Sequence, residues 1–292
     1  MNGVSLGIYE KALACTHGWR AFFAQVVQAG FSFVDLSVDE SPERAARLEW
    51  TDGERDPGRE AARAAGVQIG GVCLSLHRRV MPGSVDSEIR RQARAVYHRG
   101  IELAADLGAS VLQVAGYFAY YEPADPGARA RYVATLMEAV PHAARTGVVL
   151  GIENVDGHDI ASVGDAMSVV REVGSPWVQL YPDVGNIAEH GGDQTRELRD
   201  GQDHMVAIHV KDARPGEPRR IPFGDGVVDF DAAFTELHRQ DWSGRMMLEM
   251  WNDDALDSVA TCVSARQFVE ARLARAGMAV VRGELQGAGR AS

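Results

Sequence analysis

The chain has 292 residues, 46% of them hydrophobic and 24% charged, with a formal net charge of −11. That length can enclose the core of one α/β barrel, whereas the acidic balance, with no long block of Lys or Arg, excludes a nucleic-acid-coating surface, so any phosphate would need a local basic pocket. Three cysteines, Cys15, Cys73 and Cys262, lack the paired spacing of a zinc site or disulfide framework; with no basic-then-apolar leader and no apolar stretch near the ~20 residues that span a bilayer, a reduced, cytoplasmic protein is expected.

Short apolar runs alternate with stretches of helical periodicity along the whole chain. VSLGIYE (4–10) reads as the first strand and 19–29 as the first helix; FSFVDLSV (31–38) is followed by 54–65, VQIGGVCLS (67–75) by 86–107, and SVLQVAG (110–116) by 128–146. In the second half VVLGIEN (148–154) precedes 163–173, VQLYPDV (178–184) precedes 194–201, MVAIHVKD (205–212) precedes 230–240, and RMMLEMWN (245–252) precedes 257–276. In the third helix Ile89, Ala93, Val96, Ile101 and Ala104 form an apolar face opposite Arg90, Arg91 and Arg94. Several helices stop at a Gly before the next strand, as at Gly30, Gly66, Gly108 and Gly147. Repeated βα units of this kind predict a single (β/α)8 TIM barrel over 1–282, with GELQGAGRAS (283–292) as a flexible tail. A doubly wound sheet is disfavoured because no Gly-rich phosphate turn follows the first strand, and FGDG (223–226) is too short to bind a dinucleotide.

The last four strand runs share one feature, a metal-binding type of side chain near the C-terminal end: Glu153, Asp183, His209 and Glu249. Taken singly, each has an ordinary explanation: Asp183 could satisfy loop amides, His209 could be a core histidine, and either Glu could pair with an Arg. Together the ordinary explanation weakens, because three carboxylates converging at the mouth of a parallel barrel repel one another unless a cation neutralises them. Two Glu, one Asp and one His suit one divalent ion: Mn²⁺, Co²⁺, Zn²⁺ or Mg²⁺.

These residues also carry a resemblance. LGIYEKAL (6–13), DLSVDES (35–41), CLSLHRR (73–79), LQVAGYFAYYE (112–122), SPWVQLYPDVGN (175–186), IHVKD (208–212), PFGDGVVDF (222–230) and LEMW (248–251) resemble the L-ribulose-5-phosphate 3-epimerase (L-xylulose-5-phosphate 3-epimerase) family within the xylose-isomerase-like barrels. The resemblance covers nearly the whole chain. It implies Glu153, Asp183, His209 and Glu249 as metal ligands, with Glu153 and Glu249 doubling as the acid/base pair, and interconversion of L-xylulose 5-phosphate and L-ribulose 5-phosphate. NVDGHDIAS (154–162), which contains His158, departs from the usual family pattern, which reads like MDTPFMNS.

Epimerisation at C3 requires removing the proton beside the C2 carbonyl and returning it on the opposite face. A metal would stabilise the enediolate while two carboxylates exchange the proton. For substrate contacts, Lys211 lies one strand repeat beyond His209, and Asn186 lies three residues beyond Asp183. Two basic clusters compete for the phosphate, His77-Arg78-Arg79 and Arg219-Arg220; Arg219 is favoured because barrel phosphate sites often lie near strands seven and eight, and because it matches a substrate-binding Arg of related ketose epimerases. Tyr9, Tyr117 and Trp251 are the aromatic candidates for a wall around the sugar. Alternatives are a 3-epimerase of unphosphorylated ketoses, an aldose–ketose isomerase, a nuclease disfavoured by the charge, and a noncatalytic sugar-binding barrel. The expected partner is a small ketose or ketose phosphate, with neither nucleic acid nor membrane, and a homodimer is the candidate assembly.

Overall fold

Successive residues of a β-strand point to opposite faces, and this chain keeps one parity except at Ile69, which precedes a shift of register. Even-numbered strand residues such as Leu6, Val34, Val72, Leu112, Ile152, Ile208 and Leu248 join the main core, while Tyr9, Phe33, Cys73 and Met247 form a separate cluster inside the barrel. The computed structural model describes residues 3–15, 17–252 and 255–281, so the tail expected at 283–292 lies outside the described residues.

In chain order the elements begin with β1 (Gly3–Tyr9), α1 (Gly18–Ala29), β2 (Phe33–Val38), α2 (Pro42–Ala45), α3 (Asp52–Ala65) and β3 (Gln68–Leu74). Next come α4 (Ser87–Asp106), β4 (Val111–Ala115), α5 (Ala128–Thr146), β5 (Val149–Glu153), α6 (Val163–Val173), β6 (Val178–Leu180), α7 (Val184–Glu189) and α8 (Gln194–Asp200). The chain then forms β7 (Ala207–Val210), β8 (Asp212–Arg214), β9 (Glu217–Ile221), α9 (Phe230–Arg239), β10 (Gly244–Leu248), α10 (Ser258–Arg275) and β11 (Ala279–Val280). The parallel sheet runs β6-β5-β4-β3-β2-β1-β10-β7, with β11 added to β1. Parallel bridges Leu180–Met205 and Asp183–His209 join β6 to β7 and close the barrel. Among the described residues no helix is long and apolar enough to cross a membrane, and the three cysteines are unpaired.

Two expectations about extent are corrected. The sixth strand stops at Leu180 rather than 184, because Pro182 has no N–H for the ladder and Asp183 instead caps α7, accepting from Gly185 N at 2.7 Å and Asn186 N at 3.0 Å. The seventh stops at Val210, and the following residues form an antiparallel hairpin of β8 and β9 that the sequence reading did not anticipate. Its signal was present: Pro215-Gly216, with Gly216 at φ +76°, supplies the turn residues. Asp212 pins the hairpin base to the next loop by accepting from the backbone N–H groups of Gly224 and Gly226 at 2.8 and 3.0 Å.

Beside the barrel mouth, Glu10 and Arg47 form a buried two-pronged pair, both N–O distances 2.6 Å, and the Arg47 guanidinium lies over the rings of both Trp19 and Trp50 at 5.5 and 5.4 Å. Arg47→Ala is therefore expected to destabilise the fold by about 3–5 kcal/mol by stranding a buried carboxylate. Thermal unfolding should show the midpoint falling by about 5–8 °C for a chain of this size.

Candidate active site

Inward parity brings Glu153, Asp183, His209 and Glu249 to one place, with donor atoms within 4.8 Å of one another. Glu153, at the end of β5, accepts Gln113 Nε2 at 2.5 Å on one oxygen and lies 2.8 Å from His209 Nδ1 through the other. Asp183 and His209 are fully buried beneath the cavity floor, at 0% and 1% exposure. Lys211 Nζ lies 2.7 Å from Asp183 and 3.0 Å from Glu249, so its ammonium bridges two of the carboxylates.

The electrostatics show a site short of positive charge. Burial, reinforced by Glu249 and Glu153, pushes the Asp183 carboxyl up to about 7 even though Lys211 and His209 oppose it. Burial would lower the His209 imidazolium, yet Glu153, Glu249 and Asp183 outweigh it and hold the group up at about 9. For Lys211, too, burial disfavours the charge but the surrounding carboxylates raise it. Glu249 would be raised by burial, and Lys211 followed by His209 instead bring it down to about 2. Three carboxylates and an imidazole, gathered this tightly and relying on a protonated His and a Lys for balance, fit a divalent cation.

Above them opens a cavity of about 320 Å³ at the C-terminal ends of the strands. Tyr9, Arg78, Tyr117, Asn186, Lys211, Arg219 and Trp251 all border it, so the two basic clusters that seemed to compete each contribute an Arg to the same wall. His77 does not border it. Its ring sits in the core at 0% exposure, packed 4.1 Å from Tyr97 with Nε2 3.2 Å from Ala93 O, and burial pushes its imidazole down to about 4. Here a substrate contact expected from sequence is corrected, because the short turn after β3 directs Arg78 outward and its neighbour inward.

Around the rim the side chains are mutually paired. Tyr117 and Arg219 both bind Asp156, Arg78 donates to the Tyr117 hydroxyl at 3.2 Å, and Arg78 lies 3.8 Å from Glu40. Lys11 is paired with Asp39. Trp251 lies beneath Lys211 and Arg219, 5.6 and 5.9 Å from ring centre to cation, and meets Tyr9 edge-on at 6.2 Å. Asn186 donates to Asn154 O at 2.8 Å while its buried Oδ1 lacks a partner among the described residues. The sequence reading missed Gln113, Asp156 and Lys11. Gln113 was detectable as the one polar residue in the apolar stretch VLQVA (111–115), two positions before the inward-facing Ala115.

A closed parallel barrel with this donor set at its mouth defines a class: a family described as xylose isomerase-like TIM barrel matches residues 23–282. Relatives called L-ribulose-5-phosphate 3-epimerase UlaE, from Escherichia coli O157:H7 (strain EC4115 / EHEC) and Escherichia coli (strain SE11), are 40% identical over 275 residues, covering 94% of this chain and 97% of theirs. The chain belongs to the L-ribulose-5-phosphate 3-epimerase family within the xylose isomerase-like barrels, and it is an enzyme, an isomerase of the epimerase kind. Solved structures share the fold: an L-ribulose 3-epimerase (TM-score 0.79, 17% identity, covering 95% of this chain and 96% of that one) and a D-psicose 3-epimerase crystallised with D-fructose (0.78, 17%, 92% and 99%).

Proposed function

We propose that the protein interconverts L-ribulose 5-phosphate and L-xylulose 5-phosphate by moving the C3 proton between Glu153 and Glu249, with one divalent ion held by those two residues, Asp183 and His209. The relatives at 40% identity support the substrate. A single observation carries the chemistry: Glu153 and Glu249 border one cavity from β5 and from just beyond β10, with two strands between them one way round the barrel and four the other, so they approach a bound sugar from different sides. When bound, the ion would supply positive charge that stabilises the developing enediolate and so makes the C3 proton more acidic. Glu249, kept ionised by Lys211, is ready to accept a proton; Glu153, oriented by Gln113, is placed to return one, and the roles exchange with reaction direction. Tyr9 and Trp251 shield the sugar from water, and Asn186 meets a substrate hydroxyl with its free Oδ1. The enzyme works on a small ketose in the cytoplasm.

Arg78 and Arg219 take the phosphate, exchanging their contacts with Tyr117 and Asp156 for phosphate oxygens. One observation favours a second reading, a 3-epimerase of free ketoses: Lys11, Arg78 and Arg219 each already have a carboxylate neighbour. Protein loaded with Mn²⁺ or Co²⁺ and incubated in D₂O with each ketose, phosphorylated and free, separates the two by NMR. C3 of the phosphorylated ketose should exchange and invert; exchange confined to free ketoses would select the second reading, exchange at C1 or C2 an aldose–ketose isomerase, and no exchange at all would end the proposal. In the same assay Arg219→Ala is expected to raise KM for the phosphorylated ketose by about 10- to 150-fold, the loss of one hydrogen bond to a charged group, and to leave the free ketose little changed.

A further inference from the structure

The barrel interior holds another carboxylate, one that neither the acid/base pair nor the ligand set employs. Asp35, on β2, is 2% exposed; its Oδ2 accepts the Tyr181 hydroxyl at 2.7 Å, and its Oδ1 has no side-chain hydrogen-bond partner among the described residues. Burial pushes its carboxyl up, a cost that the nearby Arg245 guanidinium and the Gly71 N–H offset only in part. A buried, half-satisfied carboxylate is unfavourable unless something else completes it. The fold nevertheless makes room for it. The β2–β3 register shifts at this point, pairing Val34 with Ile69 and Asp35 with Gly71, and a Cβ on Gly70 would sit 2.8 Å from Asp35 Oδ1. Bulges beside active sites re-aim side chains; this one accompanies an acid directed into the barrel.

Its neighbour there is His209. The Nδ1 edge of that ring faces Glu153 at 2.8 Å and Asp183 at 4.0 Å, so Nδ1 is the atom that joins the other ligands. The opposite edge faces Cys73 Sγ at 4.0 Å from Nε2, and Asp35, Cys73 and His209 offer donor atoms within 4.8 Å of one another. Tyr181, bonded to Asp35, packs its ring 4.3 Å from the imidazole. A neutral imidazole that gives Nδ1 to an ion carries its hydrogen on Nε2, and that buried N–H needs an acceptor.

We propose that Asp35 is a positioning residue for the metal site: its carboxylate accepts from His209 Nε2–H when Nδ1 carries the ion, fixing the tautomer, while Tyr181 holds the plane of the ring. The inference rests on reading Glu153, Asp183, His209 and Glu249 as ligands. Asp35 touches neither substrate nor ion, so its effect is on how tightly and in what geometry the ion is held.

The test titrates metal-free protein with Co²⁺ against a chromophoric chelator and records the visible ligand-field absorption of the loaded protein. Asp35→Ala is expected to weaken Co²⁺ binding by about 10- to 100-fold, the usual effect of losing an outer-shell partner, and to change the band shape; Asp35→Glu, which keeps a carboxylate, should recover most of the affinity. Tyr181→Phe, which leaves the ring and removes only the hydroxyl, should give a smaller loss in the same direction. Circular dichroism of the metal-free proteins checks folding, and if Asp35→Ala does not fold, the Glu and Phe variants decide. Parent-like affinity and spectrum in Asp35→Ala, or in Tyr181→Phe where that variant decides, overturns the inference alone. Failure of the unaltered protein to bind Co²⁺ overturns the ligand reading and this inference together.

Discussion

Glu153→Gln and Glu249→Gln are each expected to slow deuterium exchange at C3 by about 10²–10⁴-fold, the range contributed by a positioned general acid or base, even when the divalent ion is saturating. Glutamine preserves the shape of the side chain and loses the capacity to accept a proton. The surroundings make the two losses separable from unfolding. In Glu249→Gln, Lys211 keeps its contact with Asp183 at 2.7 Å, so no buried ammonium is stranded. In Glu153→Gln the amide oxygen can still accept from Gln113, and the other carboxylate neighbours of His209, Glu249 and Asp183, remain. Thermal midpoints close to that of the unaltered protein, together with lost exchange, are the expected pair of results. Full exchange in either variant would remove that residue from the proton-transfer step.

Removing the divalent ion is expected to abolish turnover and to lower stability, and adding it back should restore both. An ion present at 1,000 times its Kd stabilises the folded state by about 4 kcal/mol, which for a chain of this size raises the unfolding midpoint by about 7 °C. Binding should also depend on pH with a definite sign. In the metal-free protein His209 keeps its proton up to about 9, and an ion taking Nδ1 must displace it. Affinity therefore rises with pH, about tenfold per unit between about 7 and 9 and more steeply below about 7, where Asp183 must also give up a proton, and levels off once the pH passes the His209 value. Calorimetric titration across that range checks it. Affinity independent of pH would mean that His209 is not a ligand.

Much of the fold was legible because each strand repeats a short, physically simple pattern. Apolar residues that alternate or run continuously for a few positions, punctuated by Gly and turn residues, identify βα units without knowledge of their neighbours. Boundaries were less legible where the chain changes direction by local chemistry, as at Pro182-Asp183, where a cap replaces strand, and at Pro215-Gly216, where a hairpin replaces loop.

Within the candidate site, the strand-end acids and His209 were visible because each interrupts an apolar run at an inward position. His77 shows the limit of that reasoning. It stands beside Arg78 in sequence, but a short 3-10 turn sends one side chain to the core and the other to the cavity. Asp156 was overlooked for the complementary reason: nothing in NVDGHDIAS indicates that its carboxylate will meet both Tyr117 and Arg219, which lie 39 and 63 positions away, in the loop after β4 and on β9.

By itself, then, the sequence determined the repeated βα architecture and placed four candidate metal ligands near the strand ends, because those follow from the period of the strand and from where polarity interrupts it. Only the tertiary structure decided that Lys211 bridges Asp183 and Glu249, that Arg78 and Arg219 share one wall, and that Asp35 stands behind His209. Those relations depend on distances across a closed barrel, set by how eight strands pair and stagger, and no local pattern in the chain encodes such a distance.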